Sequence, residues 1–378
     1  MRVKTVIVHV ITGLSNGGAE NSLYKLLSNI DKSKFESKVI LLTDLGPLSE
    51  KIKSIGVPVF SCNIRHNFFG IFKLIYLFYK LRPDVTQTWM YHSDAIGGII
   101  ARFTGCNKVI WNIRNTHVFP GQGVSKLTYW VMKFNKFLSY FIPKKIVCVA
   151  NSSMMSHVEE GYCERKMIVI QNGFETKIFK PNIKTRKLTR QSIKIGLDAL
   201  VIGSVGRFNK YKNYKNFILA AENLVSQNPN VYFILAGKNL DYSNIELCGW
   251  IDSSRIRSHF RLLGSKFDIP KLMTSLDIFC LSSLSEGFPN VLAEAMSSGL
   301  PCISTNVGDV RSILLDEKCI VPVDDISLLT SSLLEMINLS DLGREQLGID
   351  NRKRIQSEYS ISAMVKKYEN LYLEVLHE

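Results

Sequence analysis

Short apolar runs alternate with segments of helical period along this chain, and they do so twice. Thr5–Val10, Ser37–Leu42, Val57–Cys62, Asp84–Thr88, Lys108–Asn112, Lys145–Val149 and Lys166–Gln171 read as strands, with helices such as Ala19–Asn29 and Leu48–Ile55 between them. Residues 176–198 are polar and poorly periodic, and suit a linker. A second alternation follows, with strands at Leu200–Val205, Val231–Ala236, Ile245–Cys248, Phe260–Leu263, Ile278–Leu281, Cys302–Thr305 and Cys319–Val321, and a helix at Tyr214–Gln227. Strands apolar throughout and separated by helices require a parallel sheet covered on both faces. The pattern therefore predicts an α/β chain of two Rossmann-like, doubly wound domains, 1–180 and 181–360. Residues 361–378 form a closing helix, apolar at Ala363–Leu376, that packs back toward the first domain. Such sheets bind ligands beyond the carboxyl ends of their strands, so the cleft between the halves is the expected site.

Composition narrows the class. Among 378 residues, 46% are apolar and 21% charged, an ordinary globular balance. The eight cysteines form no C-x-x-C pair, which predicts reduced, buried thiols rather than a zinc site or a disulfide framework. Met1–Val10 reads as a buried first strand and not as a signal peptide, because His9 and the loop at Thr12-Gly13 interrupt the apolar stretch. No apolar run is long enough to span a bilayer.

The net charge of +14 is unevenly placed. Residues 1–180 carry 24 Lys and Arg against 11 Asp and Glu; residues 181–378 carry 23 against 22. Within 64–145 only Asp84 and Asp94 are acidic, and the same region holds two aromatic, basic stretches, Phe68–Lys80 and Leu127–Lys145. Cations beside aromatics on a helix suit the anionic headgroups of an inner leaflet. The competing reading is a pair of core helices with a solvated cationic edge. Nucleic acid is not expected as a partner, because no nucleic-acid-binding module is recognisable.

Three loops carry the chemistry. In Ser285–Pro301 a strand leads through a loop into a helix starting near Pro289 and ending before Gly299, with the usual boundary residues. The first amides of that helix, around Phe288, Pro289 and Asn290, can receive a diphosphate. Glu294, one turn on, is placed for ribose hydroxyls, and Glu286 for a sugar ring. In Gly206–Asn213, following a strand, Arg207 can grip phosphate oxygens as a fork and Lys212 as a point charge. In Thr12–Glu20, Gly17 and Gly18 would let backbone amides approach an anion. That loop is not a Walker A motif, since Ala19 stands where lysine is required, nor is it Gly-x-Gly-x-x-Gly.

These loops, together with Asp268–Phe279, resemble glycosyltransferase family 4 over almost the whole chain, the Glu286-x7-Glu294 segment being the specific part. The resemblance implies the GT-B fold and a retaining transferase that uses a nucleotide sugar, with UDP favoured and no cofactor. It implies that Arg207 and Lys212, with Gly206, hold the donor diphosphate, Glu294 the ribose, Glu286 the donor sugar and Gly17-Gly18 the distal phosphate. Leu262–Ser265, with Gly264, matches the strand end that receives the base. Where the family often has a histidine near the anomeric carbon, this chain has Arg114; His92 falls at a position facing the acceptor. Either can contact sugar or acceptor phosphate. With no obvious nucleophile, front-side displacement is expected, the leaving diphosphate being stabilised by cations and helix N-termini in place of a metal. No Asp-x-Asp occurs.

The expected activity is transfer of a hexose or N-acetylhexosamine to a polyprenyl-diphosphate-linked sugar in O-antigen or capsule synthesis, on the cytoplasmic face of the inner membrane. A GT-B sugar-nucleotide epimerase, a transferase with a soluble acceptor and a non-enzymatic basic binding protein are the alternatives.

Overall fold

The computed structural model describes residues 4–15, 17–64, 67, 69–116, 125–265 and 267–378. Asn16 of the first glycine loop and Phe68 of the first aromatic stretch lie outside the described residues. The chain divides into two units: one holds residues up to Gly173 together with Ile361–Glu378, the other Phe174–Ser360.

The first unit is built on seven strands, β1 (Thr5–Ile11), β2 (Phe35–Leu41), β3 (Val59–Ser61), β4 (Val85–Trp89), β5 (Val109–Ile113), β6 (Lys145–Cys148) and β7 (Met167–Val169), in the order β3-β2-β1-β4-β5-β6-β7. Every pairing is parallel. β4 and β5 are buried along their whole length, because helices cover both faces. One face packs Leu23, Leu26 and Leu27 of the Gly18–Asn29 helix. The helix Ile361–His377 joins them, its Met364, Val365, Tyr368, Leu371, Tyr372 and Val375 forming one buried stripe at helical spacing. Each apolar side chain so buried contributes about 1.5–3 kcal/mol. The other face is closed by Leu74, Leu77 and Phe78, by Ala101 and by Met132.

The second unit has six strands, β8 (Leu200–Val205), β9 (Val231–Ala236), β10 (Phe260–Gly264), β11 (Ile278–Leu281), β12 (Cys302–Thr305) and β13 (Ile320–Val321), ordered β10-β9-β8-β11-β12-β13 and again parallel. All eight cysteines are free thiols.

Three readings are corrected. Residues 176–198 are not an open linker: they contain the helix Ile183–Ser192, capped by the Asn182 side chain accepting from the Thr185 amide. It docks through a polar residue. Arg190, fully buried, pairs with Asp277 at 2.7 Å and donates to the Ser275 and Ala199 carbonyls. The segment at Ile245–Cys248 is not a strand but the start of the helix Ile245–Ser253, capped by Asn244. Ile245 is 87% exposed while Leu247 and Ile251 are buried, which is helical spacing. The first crossing between units falls at 173/174 rather than 180/181. Phe174 is already bound into the second unit, its amide donating to the Tyr359 carbonyl and its ring stacking on Phe288.

Candidate active site

In the second unit, the carboxyl ends of β8, β9 and β10 are joined through glycines. The Gly237 backbone has φ +138°, and a Cβ there would lie 1.7 Å from the Gly206 carbonyl oxygen. Only glycine lets these two loops touch backbone to backbone. Gly264, at φ +64°, ends β10; its carbonyl accepts from the Gly237 amide and its amide donates to Leu240.

Beyond β8, Arg207 is exposed and makes no hydrogen bond or ion pair among the described residues. Asn209 caps a single 3-10 turn by accepting from the amides of Tyr211 and Lys212, which fixes the direction of the Lys212 side chain. Lys212 Nζ lies 2.6 Å from Glu286 Oε1, both side chains being 16–17% exposed. Ser283 Oγ donates to the same oxygen at 2.7 Å. The Tyr214 hydroxyl is buried nearby with no partner among the described residues, and burial and the Glu286 charge push its pKa above the ordinary phenol value.

The loop carrying Glu286 is held from several sides. The Leu284 amide donates to the Tyr211 carbonyl, Thr305 Oγ1 to the Ser283 carbonyl and the Asp309 amide to the Gly287 carbonyl. Phe288 points into the core between Phe174 and Tyr359, so only its backbone is available to a ligand. Pro289 is the N-cap of the helix Asn290–Ser297. Asn290 is exposed at its start and Glu294 half-buried one turn on. The structure thus brings Lys212 and Glu286 into contact and sets Gly206, Arg207, Gly264 and the 288–290 backbone along one strand-end edge.

In the first unit Gly17 caps the Gly18–Asn29 helix without a side-chain hydrogen bond. That helix start is taken by a carboxylate of the chain itself. Glu20, buried, folds back so that a Cβ on Gly17 would lie 2.3 Å from Glu20 Oε2, and Ser15 Oγ donates to Oε1 at 2.6 Å. Gly18 is open, with nothing within 4 Å of where a Cβ would stand.

His92, half-buried after β4, follows Met90, whose φ of +70° and ψ of 158° belong to a region normally reserved for glycine. Burial lowers the His92 pKa. Arg114 follows β5 and lies over the Trp89 ring, 5.7 Å from its centroid. Its Nη2 donates to Ser22 Oγ at 2.6 Å and to Asn172, while Nη1 is enclosed with no hydrogen-bond partner. Burial pulls the guanidinium pKa down, and the nearby Tyr368 hydroxyl draws it back up.

Sequence reasoning missed the polar cluster beneath Arg114. His9, Gln87 and Asn112 are buried on adjacent strands β1, β4 and β5, and the closing helix brings Tyr368 and Tyr372 onto them. Asn112 Nδ2 donates to the Tyr368 hydroxyl at 2.7 Å, and the Tyr372 hydroxyl to Gln87. A polar residue inside each of three apolar strand runs was the signal available.

Two doubly wound parallel units, each with glycines in its strand-end loops, are the architecture of the GT-B fold. Residues 16–178 match the model of Glycosyltransferase Family 4, and residues 185–354 that of Glycosyl transferases group 1. The chain belongs to glycosyltransferase family 4. It is 26% identical over 390 residues to the UDP-Gal:alpha-D-GlcNAc-diphosphoundecaprenol alpha-1,3-galactosyltransferase of Escherichia coli, covering 99% of this chain and 98% of that one. The capsular polysaccharide biosynthesis glycosyltransferase CapM of Staphylococcus aureus is 24% identical over 316 residues, 82% of this chain and 81% of CapM. Among solved structures, Anabaena Alr3699/HepE in complex with UDP superposes with a TM-score of 0.82 at 17% identity, covering 98% of this chain and all of that one.

Two helices of the first unit carry exposed aromatic side chains. The helix Gly70–Leu81 buries Leu74, Leu77 and Phe78 and exposes Phe72, Tyr76 and Tyr79, with Phe69 just before it. The helix Lys126–Leu138 buries only Met132 and Asn135 and exposes Leu127, Trp130, Phe134 and Phe137. Both are core helices on one side and apolar on the other. No helix among the described residues is long and apolar enough to cross a membrane.

Proposed function

We propose that this enzyme transfers a hexosyl or N-acetylhexosaminyl group from a UDP-sugar, with retention of configuration, to a sugar hydroxyl of a polyprenyl-diphosphate-linked acceptor in surface polysaccharide synthesis. The observation that carries the donor half is the Lys212–Glu286 contact at the strand ends of the second unit. A cation and a carboxylate in contact there can part onto the two ends of one ligand, Lys212 to a phosphate and Glu286 to sugar hydroxyls. Arg207 adds a bidentate grip on the diphosphate. The amides at Phe288, Pro289 and Asn290 supply dipoles, Glu294 holds the ribose, and the Gly264 strand end takes the base.

Departure of UDP leaves negative charge on the diphosphate, and positive groups already fixed around it lower that barrier; one such donor is worth about 10²–10³ in rate. No metal is needed in this scheme. In the first unit the open Gly18 offers a backbone amide to a phosphate, and Arg114 and His92 offer contacts to sugar or acceptor phosphate.

The acceptor half is supported by the Escherichia coli relative, whose named acceptor is a diphosphoundecaprenol-linked sugar and whose match spans 99% of this chain. The exposed aromatic helices of the first unit support its partner surface. Aromatics set among cations suit the anionic cytoplasmic leaflet in which such an acceptor is anchored, each Lys or Arg contributing about 1 kcal/mol there.

The test is transfer from radiolabelled UDP-galactose and other UDP-sugars onto GlcNAc-diphosphoundecaprenol in mixed micelles, with the product linkage read by NMR. An α-linked product formed equally well in EDTA is expected. Donor turnover without acceptor, a β-linked product, or activity lost in EDTA and restored by manganese would contradict the proposal.

A further inference from the structure

We propose that Tyr368, on the closing helix, is a positioning residue that holds the Arg114 guanidinium for an anionic substrate group, a phosphate or diphosphate. This rests on the assignment of Arg114 to the substrate site given above.

The argument begins with Arg114 itself. An enclosed guanidinium normally pairs with a carboxylate, because an unpaired buried charge is costly. Among the described residues Arg114 has none: its hydrogen-bond partners there are the Ser22 hydroxyl and the Asn172 amide oxygen, both neutral, and it rests on the Trp89 ring. One of its amino groups, Nη1, is shut off from solvent and makes no hydrogen bond among the described residues. A fork of donors held in place, uncompensated and lacking an acceptor fits an anion, which would satisfy both the charge and the free donor.

Tyr368 is what keeps that fork in register. Its ring lies 6.2 Å from the Trp89 ring and its hydroxyl accepts from Asn112 Nδ2 at 2.7 Å. Asn112 is on β5, two residues before Arg114, and the same hydroxyl is near enough to the guanidinium to favour its charged form. Trp89, on β4, therefore carries Arg114 and Tyr368 together, and the Tyr368 hydroxyl ties in β5 two residues before the cation. The helix that supplies it is separated from Gly173 by the 187 residues of the whole second unit. The last residues of the sequence are in this way part of the first unit's site.

The experiment uses the full-length enzyme and the variants Y368F, R114Q and Y368F/R114Q. Y368F keeps the buried ring and removes only the hydroxyl; Y368H is the second variant should Y368F melt early. Inorganic pyrophosphate is titrated calorimetrically in saturating UDP, which fills the second unit's loops. Transfer from UDP-galactose to GlcNAc-diphosphoundecaprenol is followed with kcat and acceptor KM separated. Pyrophosphate affinity and kcat/KM for acceptor should fall about tenfold or more in R114Q and about three- to tenfold in Y368F, with UDP affinity unchanged. The double variant should be no worse than R114Q alone. Loss in R114Q beside wild-type values in Y368F, or additive losses in the double variant, overturns the positioning role only. Wild-type values in R114Q overturn the substrate role of Arg114, and the role of Tyr368 with it.

Discussion

The Lys212–Glu286 pair allows stability and activity to be separated. Replacing Lys212 by methionine keeps the apolar stem and removes the charge, leaving the Glu286 carboxylate with the Ser283 hydroxyl and no neighbouring cation at Oε1. An exposed pair contributes about 0–1 kcal/mol, and stripping one partner from a fully buried pair costs about 3–5 kcal/mol. At 16–17% exposure the pair lies between these limits, so K212M should cost about 2 kcal/mol. For a unit of this size that lowers the melting temperature by about 4–8 °C. Adding E286Q removes the stranded charge but keeps an oxygen for Ser283, and should recover most of the loss. Transfer behaves differently. Either single variant should lose about 10²–10³ in kcat, and the double variant should recover none of it, since both groups are needed by the donor. Calorimetric melts and transfer rates on the same preparations decide the matter. If melting temperature and rate recover together in the double variant, the pair is only a structural tie and the donor-site argument fails.

Three further outcomes follow from the geometry. His9 and His157 are buried, and burial holds their pKa values down to about 3 and about 4 against an ordinary 6.5. The unfolded chain takes up these protons first as pH falls, so the stabilisation is complete above about 6.5 and drains toward the folded values. Urea melts should lose about 3 kcal/mol between pH 7.5 and 5.5, and a flat profile would refute this. G237A should cost about 3 kcal/mol or more, because its Cβ meets the Gly206 carbonyl in a backbone conformation that side chains avoid. Gly249, mid-helix with nothing within 4 Å, should tolerate alanine with a gain of about 0.5–1 kcal/mol; equal melts for the two variants would contradict the close approach. Wild-type protein should sediment with vesicles containing phosphatidylglycerol and be released by salt, W130A/F134A should bind about tenfold less, and equal binding by both would remove the role given to the exposed aromatic face.

Much of the fold was legible because fully buried parallel strands leave an unbroken apolar run. Leu200–Val205, Val231–Ala236, Ile278–Leu281 and Cys302–Thr305 fall where the sequence puts them. The Ile183–Ser192 helix was not legible, since it is anchored by a buried arginine paired with an aspartate some ninety residues away and shows no apolar stripe. At Ile245–Cys248 four residues are too few to distinguish alternation from a helical turn, and the Asn244 cap was the missed cue. The candidate loops stood out by residue type: glycines, cations and carboxylates at strand ends. What the sequence could not reveal was who touches whom. That Glu286 holds Lys212 and that Glu20 folds over its own helix start depend on rotamers, and that Tyr368 reaches β4 and β5 depends on the return of the last helix across the chain.

In the proposed mechanism the second unit's strand-end loops grip a nucleotide by its diphosphate. Calorimetric titration of UDP against UMP tests it most directly, in wild type and in R207A/K212A. UDP should bind at least tenfold more tightly than UMP to the wild type, and the gap should close in the double variant. Equal affinities for the two nucleotides, or a gap untouched by the loss of both cations, would contradict it.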